Sequence, residues 1–287
     1  MWQLEVGDIK VFRVVELEGP TQPGFIFADA SPEVFQPHLD WLAPWSYDPA
    51  THMMHTSVHT YVLRAAGLTV LVDTCVGNDK PRPEPFWNQL TTPYLERLAA
   101  AGVIPEDVDV VLCTHLHTDH IGWNTRLRNG HWVPTFPRAR YLFQEDELAH
   151  WEAKGNAATQ QQLKDSVAPV IVAGQAERVR GAHEVGGGIV LEPTPGHTPG
   201  HYSVKFTSKS KGGVITGDMM HHPIQIAEPG LCSRYCVNPA LAVETRIAFL
   251  ERYADQDVKI LGTHFAPPHW GRLKSGAKGF QLEIPRA

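Results

Sequence analysis

Thr114-His115-Leu116-His117-Thr118-Asp119-His120-Ile121-Gly122 places three imidazoles and a carboxylate directly after the apolar run 108–113. Residues 108–114 read as a strand. Side chains alternate faces along an extended chain, so His115, His117 and Asp119 point one way, and a helix starting near Asp119 swings His120 round beside them. Four ligand-type side chains then converge at one strand end.

Imidazole nitrogen and carboxylate oxygen are the donors that Zn²⁺ and its first-row neighbours take, and one Zn²⁺ held by four protein ligands is closed and structural. The chain offers more donors than one closed site uses. His197 in Pro195-Gly196-His197-Thr198-Pro199-Gly200-His201, Asp218 in Thr216-Gly217-Asp218 and His264 in Gly262-Thr263-His264 follow further predicted strands and adjoin glycines, where the backbone can approach closely. Seven ligands suggest two metal ions.

Outward from this centre, apolar alternation marks a strand at 11–16, and residues 60–73 read as strand, Ala65-Ala66-Gly67 turn and strand. Thr92-Pro93 opens a helix striped by Tyr94, Leu95, Leu98 and Ala99 and stopped by Gly102. A strand at 140–143, a helix at 145–153 closed by Gly155 and a polar helix at 159–167 come next. In the second half Gly186-Gly187-Gly188 turns into a strand at 189–192, strands recur at 202–206, 214–216 and 259–261, and Asn238-Pro239 caps a helix running to Tyr253. Residues 24–56 are rich in proline and aromatics (Phe25, Phe27, Phe35, Trp41, Trp45, Tyr47) and lack a period, so they read as a long loop excursion. Strands and helices come in two successive sets without a Ser/Gly linker. This favours a single domain over 1–287, two packed sheets with helices outside.

The 287 residues are 43% hydrophobic and 20% charged, the balance of a soluble globular protein and not of a disordered tail. Lys and Arg number 25 against 31 Asp and Glu, a net charge of −6, and no basic run is present, so neither nucleic acid nor an anionic membrane is an expected partner. The N-terminus carries acids where a signal peptide needs basic and then apolar residues, and no apolar window is long enough to span a bilayer. A soluble, cytoplasmic protein is expected. Cys75, Cys113, Cys232 and Cys236 are then thiols that fill packing positions.

The quoted segment resembles the His-x-His-x-Asp-His signature of the metallo-β-lactamase fold superfamily, and His197, Asp218 and His264 match its remaining ligand positions in order. The resemblance spans nearly the whole chain, from the hairpin ending at Asp73 to His264. It implies an α+β four-layer αββα sandwich, two mixed sheets with helices on the outer faces. By the same resemblance His115, His117 and His197 hold one ion, Asp119, His120 and His264 the other, and Asp218 bridges them. Asp73 resembles the aspartate that other members place behind the metal histidines to fix a tautomer. The family likeness thus implies a dinuclear hydrolase with two divalent ions per chain, zinc by default with manganese, iron or cobalt as alternatives. It would attack a small apolar ester or lactone through a hydroxide shared by the ions, and relatives of this size are commonly homodimers.

Asp218 stands where true β-lactamases of this fold carry Cys or Ser. The related thioesterases append a helical C-terminal domain for which the tail after His264 is short, and the related ribonucleases need a basic surface. Acyl-homoserine lactonases share size and ligands but place a tyrosine three residues after the bridging aspartate, where this chain has His221. Gly217-Asp218-Met219-Met220-His221 with Gln225, and the 271–280 tail, look more like the methyl parathion hydrolase branch, whose relatives open aromatic lactones such as dihydrocoumarin. An aryl ester or aromatic lactone is therefore the favoured substrate, with phosphotriesterase and acyl-homoserine lactonase as alternatives. A mononuclear-iron persulfide dioxygenase is the alternative from another class.

Asp119 and His221 are the expected catalytic side chains, His221 orienting substrate or protonating a leaving alkoxide. Trp45, Trp87, Trp123 and Trp270 adjoin predicted loops at metal-bearing strand ends and are expected to wall an aryl pocket. His201 and His269 are expected to support loops and not to ligate, and His222 to point elsewhere.

Overall fold

Strand Met53–Ala65 turns through Ala66 and Gly67, both at positive φ, into Leu68–Val72, with Tyr61 opposite Val72 and Ala65 opposite Leu68. This is the expected hairpin, closed by the two-residue turn whose twist matches paired strands. The computed structural model describes residues 2–277 and 279–284. The chain divides into two compact units, Met1–Glu16 with Val58–Ile189 and Leu17–Ser57 with Val190–Ala287.

In the first unit the hairpin continues into parallel pairing, Leu68–Val72 with Val110–Leu112, then Arg140–Gln144, then Ala176–Val179. Gln3–Val6 and Ile9–Thr21 pair antiparallel on the other side, so the sheet is mixed. Val110–Leu112 is buried throughout, as interior parallel strands are, whereas the edge strand Ala176–Val179 buries only Val179. Their side chains join Tyr94, Leu98, Phe136 and Leu148 in one core. Helices Glu145–Lys154 and Ala157–Ser166 start where Gln144 and Asn156 accept the Glu147 and Thr159 amide protons, satisfying donors that a helix start leaves open.

The second unit carries the second mixed sheet. Tyr202–Ser208 pairs antiparallel with Lys211–Ile215, which runs parallel to Val258–Leu261, which pairs antiparallel with Trp270–Gly276. In the parallel pair Ile215 lies opposite Leu261, so the turns carrying Asp218 and His264 leave the same edge of the sheet. Helix Pro239–Tyr253 is capped by Asn238, with Pro239 in its first turn, as its sequence signals require.

Residues 24–56 are not a plain loop. Helical turns Pro23–Ile26, Pro32–Phe35 and Leu39–Leu42 pack Ile26, Phe27, Phe35 and Leu42 with Tyr47, Met54 and Ile224. Phe35 stacks on Tyr47 with ring centroids 4.1 Å apart. Each turn is four residues long, too short to write a helical period into the sequence. No helix among the described residues is long and apolar enough to cross a membrane.

Candidate metal centre

In the first unit the chain leaves strand Val110–Leu112, passes His115 and His117 in a short connection, and enters helix Thr118–Ile121. His117 is still extended, at φ −68° and ψ 159°, so the helix starts one residue before Asp119. The Nε2 of His115 lies 2.9 Å from the Nδ1 of His117, and the rings of His115 and His120 are 4.0 Å apart. Asp119 Oδ1 is 3.6 Å from His120 Nε2.

Asp73 organises this group from behind. It closes strand Leu68–Val72 in a left-handed conformation, φ 59°, which aspartate tolerates better than most side chains. Its buried carboxylate accepts the Thr114 amide proton at 2.8 Å, the Thr114 hydroxyl at 2.9 Å and the His120 Nδ1 proton at 3.0 Å. With Nδ1 protonated, neutral His120 keeps its Nε2 lone pair for a ligand, the arrangement that outer hydrogen bonds impose on metal-binding histidines.

The loop after Asp73 is knitted to the ligand turn by backbone. Thr74 N–H donates to His120 C=O, and Thr74 C=O and Cys75 C=O accept the Trp123 and Gly122 amide protons, all at 2.7 Å. Gly122 admits no side chain, since a Cβ there would overlap the Val76 carbonyl. Glu16 locks the far side of the loop, its carboxylate accepting Val76 N–H at 2.7 Å, Thr92 Oγ1–H at 3.0 Å and the Trp123 indole N–H at 2.6 Å. Burial raises the Glu16 pKa above its ordinary value although these donors pull it down. Sequence reasoning missed Glu16 because its partners lie 60 to 107 residues away.

In the second unit three imidazoles converge on one carboxylate. Asp218 follows strand Lys211–Ile215 in a single turn, Gly217–Met219. Its Oδ1 lies 3.1 Å from His264 Nε2, and its Oδ2 lies 3.2 Å from His221 Nε2 and 3.5 Å from His197 Nε2. All four side chains are buried. His264 donates its Nδ1 proton to Ser57 C=O at 2.8 Å, which in the neutral ring leaves an Nε2 lone pair facing the Asp218 carboxylate. Two acceptors at this distance repel unless a cation, a proton or a metal ion, is shared between them. Nitrogen and oxygen donors without thiolate are the set for Zn²⁺ and neighbouring divalent ions, and the residues fit such a group.

His201 does not ligate. Its Nδ1 faces the Thr194 hydroxyl at 2.8 Å and its Nε2 accepts the Asp218 amide proton at 2.8 Å, so it holds the ligand turn. Gly217 is needed beside it, at φ 56°, where a Cβ would overlap the His201 ring. His222 bonds Ser46 C=O, away from Asp218, and His269 is half-buried. His197 Nδ1 lies 3.5 Å from Cys236 Sγ, and all four cysteines are free thiols.

His221 stacks on His264 with rings 13° apart and meets Phe27 edge-on. Asp218 is acceptor-only, so the 3.2 Å contact places the His221 proton on Nε2 and leaves Nδ1 an acceptor. That buried Nδ1 has no hydrogen-bond partner among the described residues. Burial lowers the ring's pKa, against the pull of Asp218.

The four tryptophans divide. Trp123 is a core residue and not a substrate wall, 5% exposed and stacked on Tyr94 at 5.1 Å with its N–H on Glu16. Trp45 is exposed, Trp87 is half-buried edge-on to Phe86, and half-buried Trp270 carries Lys259 and Arg272 over its face.

The model of the metallo-beta-lactamase superfamily matches residues 54–279. An N-acyl homoserine lactonase, AiiB, of Agrobacterium fabrum (strain C58 / ATCC 33970) is 26% identical over 162 residues, covering 52% of this chain and 48% of that protein. An N-acyl homoserine lactonase of a Bacillus species is 27% identical over 175 residues, covering 57% and 63%. The chain thus spans less than two thirds of the length of these relatives. Among solved structures, the hydrolase AbOPH of the beta lactamase superfamily aligns with 100% of this chain and 98% of its own at 23% identity, TM-score 0.79. AidC, a dizinc quorum-quenching lactonase in complex with a product, aligns with 100% and 97% at 18% identity, TM-score 0.80. At these identities the likeness shows the fold, two mixed sheets with helices, as the signature implied.

Proposed function

Since the chain belongs to the metallo-β-lactamase superfamily, we propose that it is a metal-dependent hydrolase that opens lactones or cleaves carboxylic esters. The observation that carries this reading is the Asp218 carboxylate with His264, His221 and His197 Nε2 atoms 3.1 to 3.5 Å from it. In this reading His115, His117, His197 and Asp218 would hold one divalent ion and Asp119, His120 and His264 a second, with Asp218 the carboxylate the two would share. Zinc is the first ion to test. When bound, such ions bring the pKa of water near neutrality and polarise the attacked carbonyl.

The chain's own residues supply the order this chemistry needs. Asp73 and the Ser57 carbonyl fix the His120 and His264 tautomers, and His201 fixes the Asp218 backbone. With Nε2 held against Asp218, His221 offers Nδ1 as an acceptor, so in this reading its part is to accept a hydrogen bond from substrate.

Two lactone classes compete. The resemblance of the 217–225 stretch to the methyl parathion hydrolase branch favours an aryl lactone. An acceptor at His221 Nδ1 instead suits a substrate with an N–H, which the amide of an acyl-homoserine lactone provides. That second class is also the one named for the relatives.

The deciding experiment compares initial rates on dihydrocoumarin and N-hexanoyl-homoserine lactone in one metal-loaded preparation, with Asp119→Ala as control. A hundredfold preference, about 2.7 kcal/mol of transition-state discrimination, assigns the class. Turnover that survives Asp119→Ala refutes the metal-centred reading. Turnover of neither lactone moves the substrate to phosphotriesters or thioesters.

A further inference from the structure

The relative aim of His115 and His117 is set by the residue between them. The Leu116 N–H belongs to the peptide plane joining 115 and 116, and the Leu116 C=O to the plane joining 116 and 117. Rotating either plane swings one imidazole away from the other. Both groups are held by buried side chains from two different helices. Glu147, 1% exposed on helix Glu145–Lys154, accepts the Leu116 amide proton on Oε1 at 3.1 Å. Gln162, 8% exposed on helix Ala157–Ser166, donates Nε2–H to the Leu116 carbonyl at 2.7 Å. The Leu116 side chain is itself buried in the core, which removes the remaining freedom of this residue.

The same Glu147 oxygen accepts the Trp151 indole N–H at 2.6 Å, and the Trp151 ring lies 5.3 Å from that of His117 at 56°. One carboxylate therefore fixes the backbone beside His117 and the aromatic ring against it. A buried carboxylate and a buried amide are costly side chains to place in a core. Here both are committed to the backbone of one residue, the one that decides whether two candidate ligands converge.

We propose that Glu147 and Gln162 are positioning residues for metal binding, clamping the two peptide planes on either side of Leu116 so that His115 and His117 present their nitrogens to one ion. The inference rests on the metal reading above but not on the substrate. Glu147→Gln keeps an acceptor oxygen, whereas Glu147→Leu and Gln162→Met remove one half of the clamp each at similar volume.

The test is titration of metal-free protein with Co²⁺ in competition with a chromophoric chelator, together with the visible spectrum of the Co²⁺ form. Glu147→Leu and Gln162→Met are expected to weaken Co²⁺ binding by about 10- to 100-fold, the range for partners that orient ligands, and to shift the visible bands. Glu147→Gln and Trp151→Phe should stay within about threefold of the parent. That pattern separates a clamp on the ligands from loss of packing at the tryptophan. If Glu147→Leu does not fold, Gln162→Met alone decides, since it removes a single hydrogen bond. Unchanged affinity and spectrum in a folded Gln162→Met protein overturn the proposal. Tight Co²⁺ binding without lactone turnover would count against the substrate reading alone, whereas a parent that binds no Co²⁺ overturns both.

Discussion

Both ring nitrogens of His222 are taken by backbone, Nε2 donating to Ser46 C=O at 2.8 Å and Nδ1 accepting from Ile224 N–H at 3.2 Å. A second ring proton would break the latter bond, and burial holds the pKa down at about 4 from an ordinary 6.5. Because the folded pKa is depressed, this stabilisation is intact above pH 6.5 and is lost as pH falls toward 4. The drop is roughly 3 kcal/mol. Urea unfolding at about pH 7, 5.5 and 4.5 should show His222→Gln less stable than the parent at neutral pH and flatter across this window. An equal slope in both proteins would move the acid sensitivity to another group. Residue by residue, the candidate ligand cluster was legible because few residue types bind metal and four of them fall within a short span. Trp123 was not legible as a core residue, since an aromatic ring beside a loop carries the same letter whether it faces a ligand or a buried carboxylate.

The helices of seven residues or more were legible, and the four-residue turns within 24–56 were not. Asn238 and Pro239 set the start of helix Pro239–Tyr253, and the Asn238 side chain accepts the Leu241 amide proton at 3.2 Å. Asn238→Ala should cost about 1 kcal/mol of stability in denaturant unfolding. No loss would show that the helix start is held by packing instead. The cost bears on the site, because Arg246 on this helix donates Nε–H to the carbonyl of Met219, the residue after Asp218. The four-residue turns within 24–56 offered no comparable signal apart from prolines. Hairpin Thr125–Arg128 with His131–Pro134 went unread although Asn129-Gly130, both at positive φ, is the strongest short turn signal available. The arginines alternating through 126–128 masked its apolar pattern.

The order of ligands after predicted strands made the fold class readable across the chain, whereas the course of 24–56 was not, because its core forms from residues as far apart as Phe27 and Ile224. The expectation of one domain leads to a calorimetric prediction. Metal-loaded protein should unfold in one transition, and chelation should lower its midpoint without splitting it. Free metal at about a hundred times its Kd stabilises by about 2.7 kcal/mol, so the shift for a chain of this size is roughly 5 °C. Two resolved transitions would replace the single domain with independently folding parts.

Gly122, whose missing side chain leaves room only for the Val76 carbonyl, also sets where this protein can be diversified. A library randomised at the ligand turn or in the loop behind it would consist largely of chains that do not assemble, whatever chemistry their new side chains offered. Selection for altered substrates should therefore draw its successes from exposed positions such as Trp45 and Phe86, where a new side chain meets solvent. The route to new activity in such a lineage runs through its periphery while the centre stays fixed.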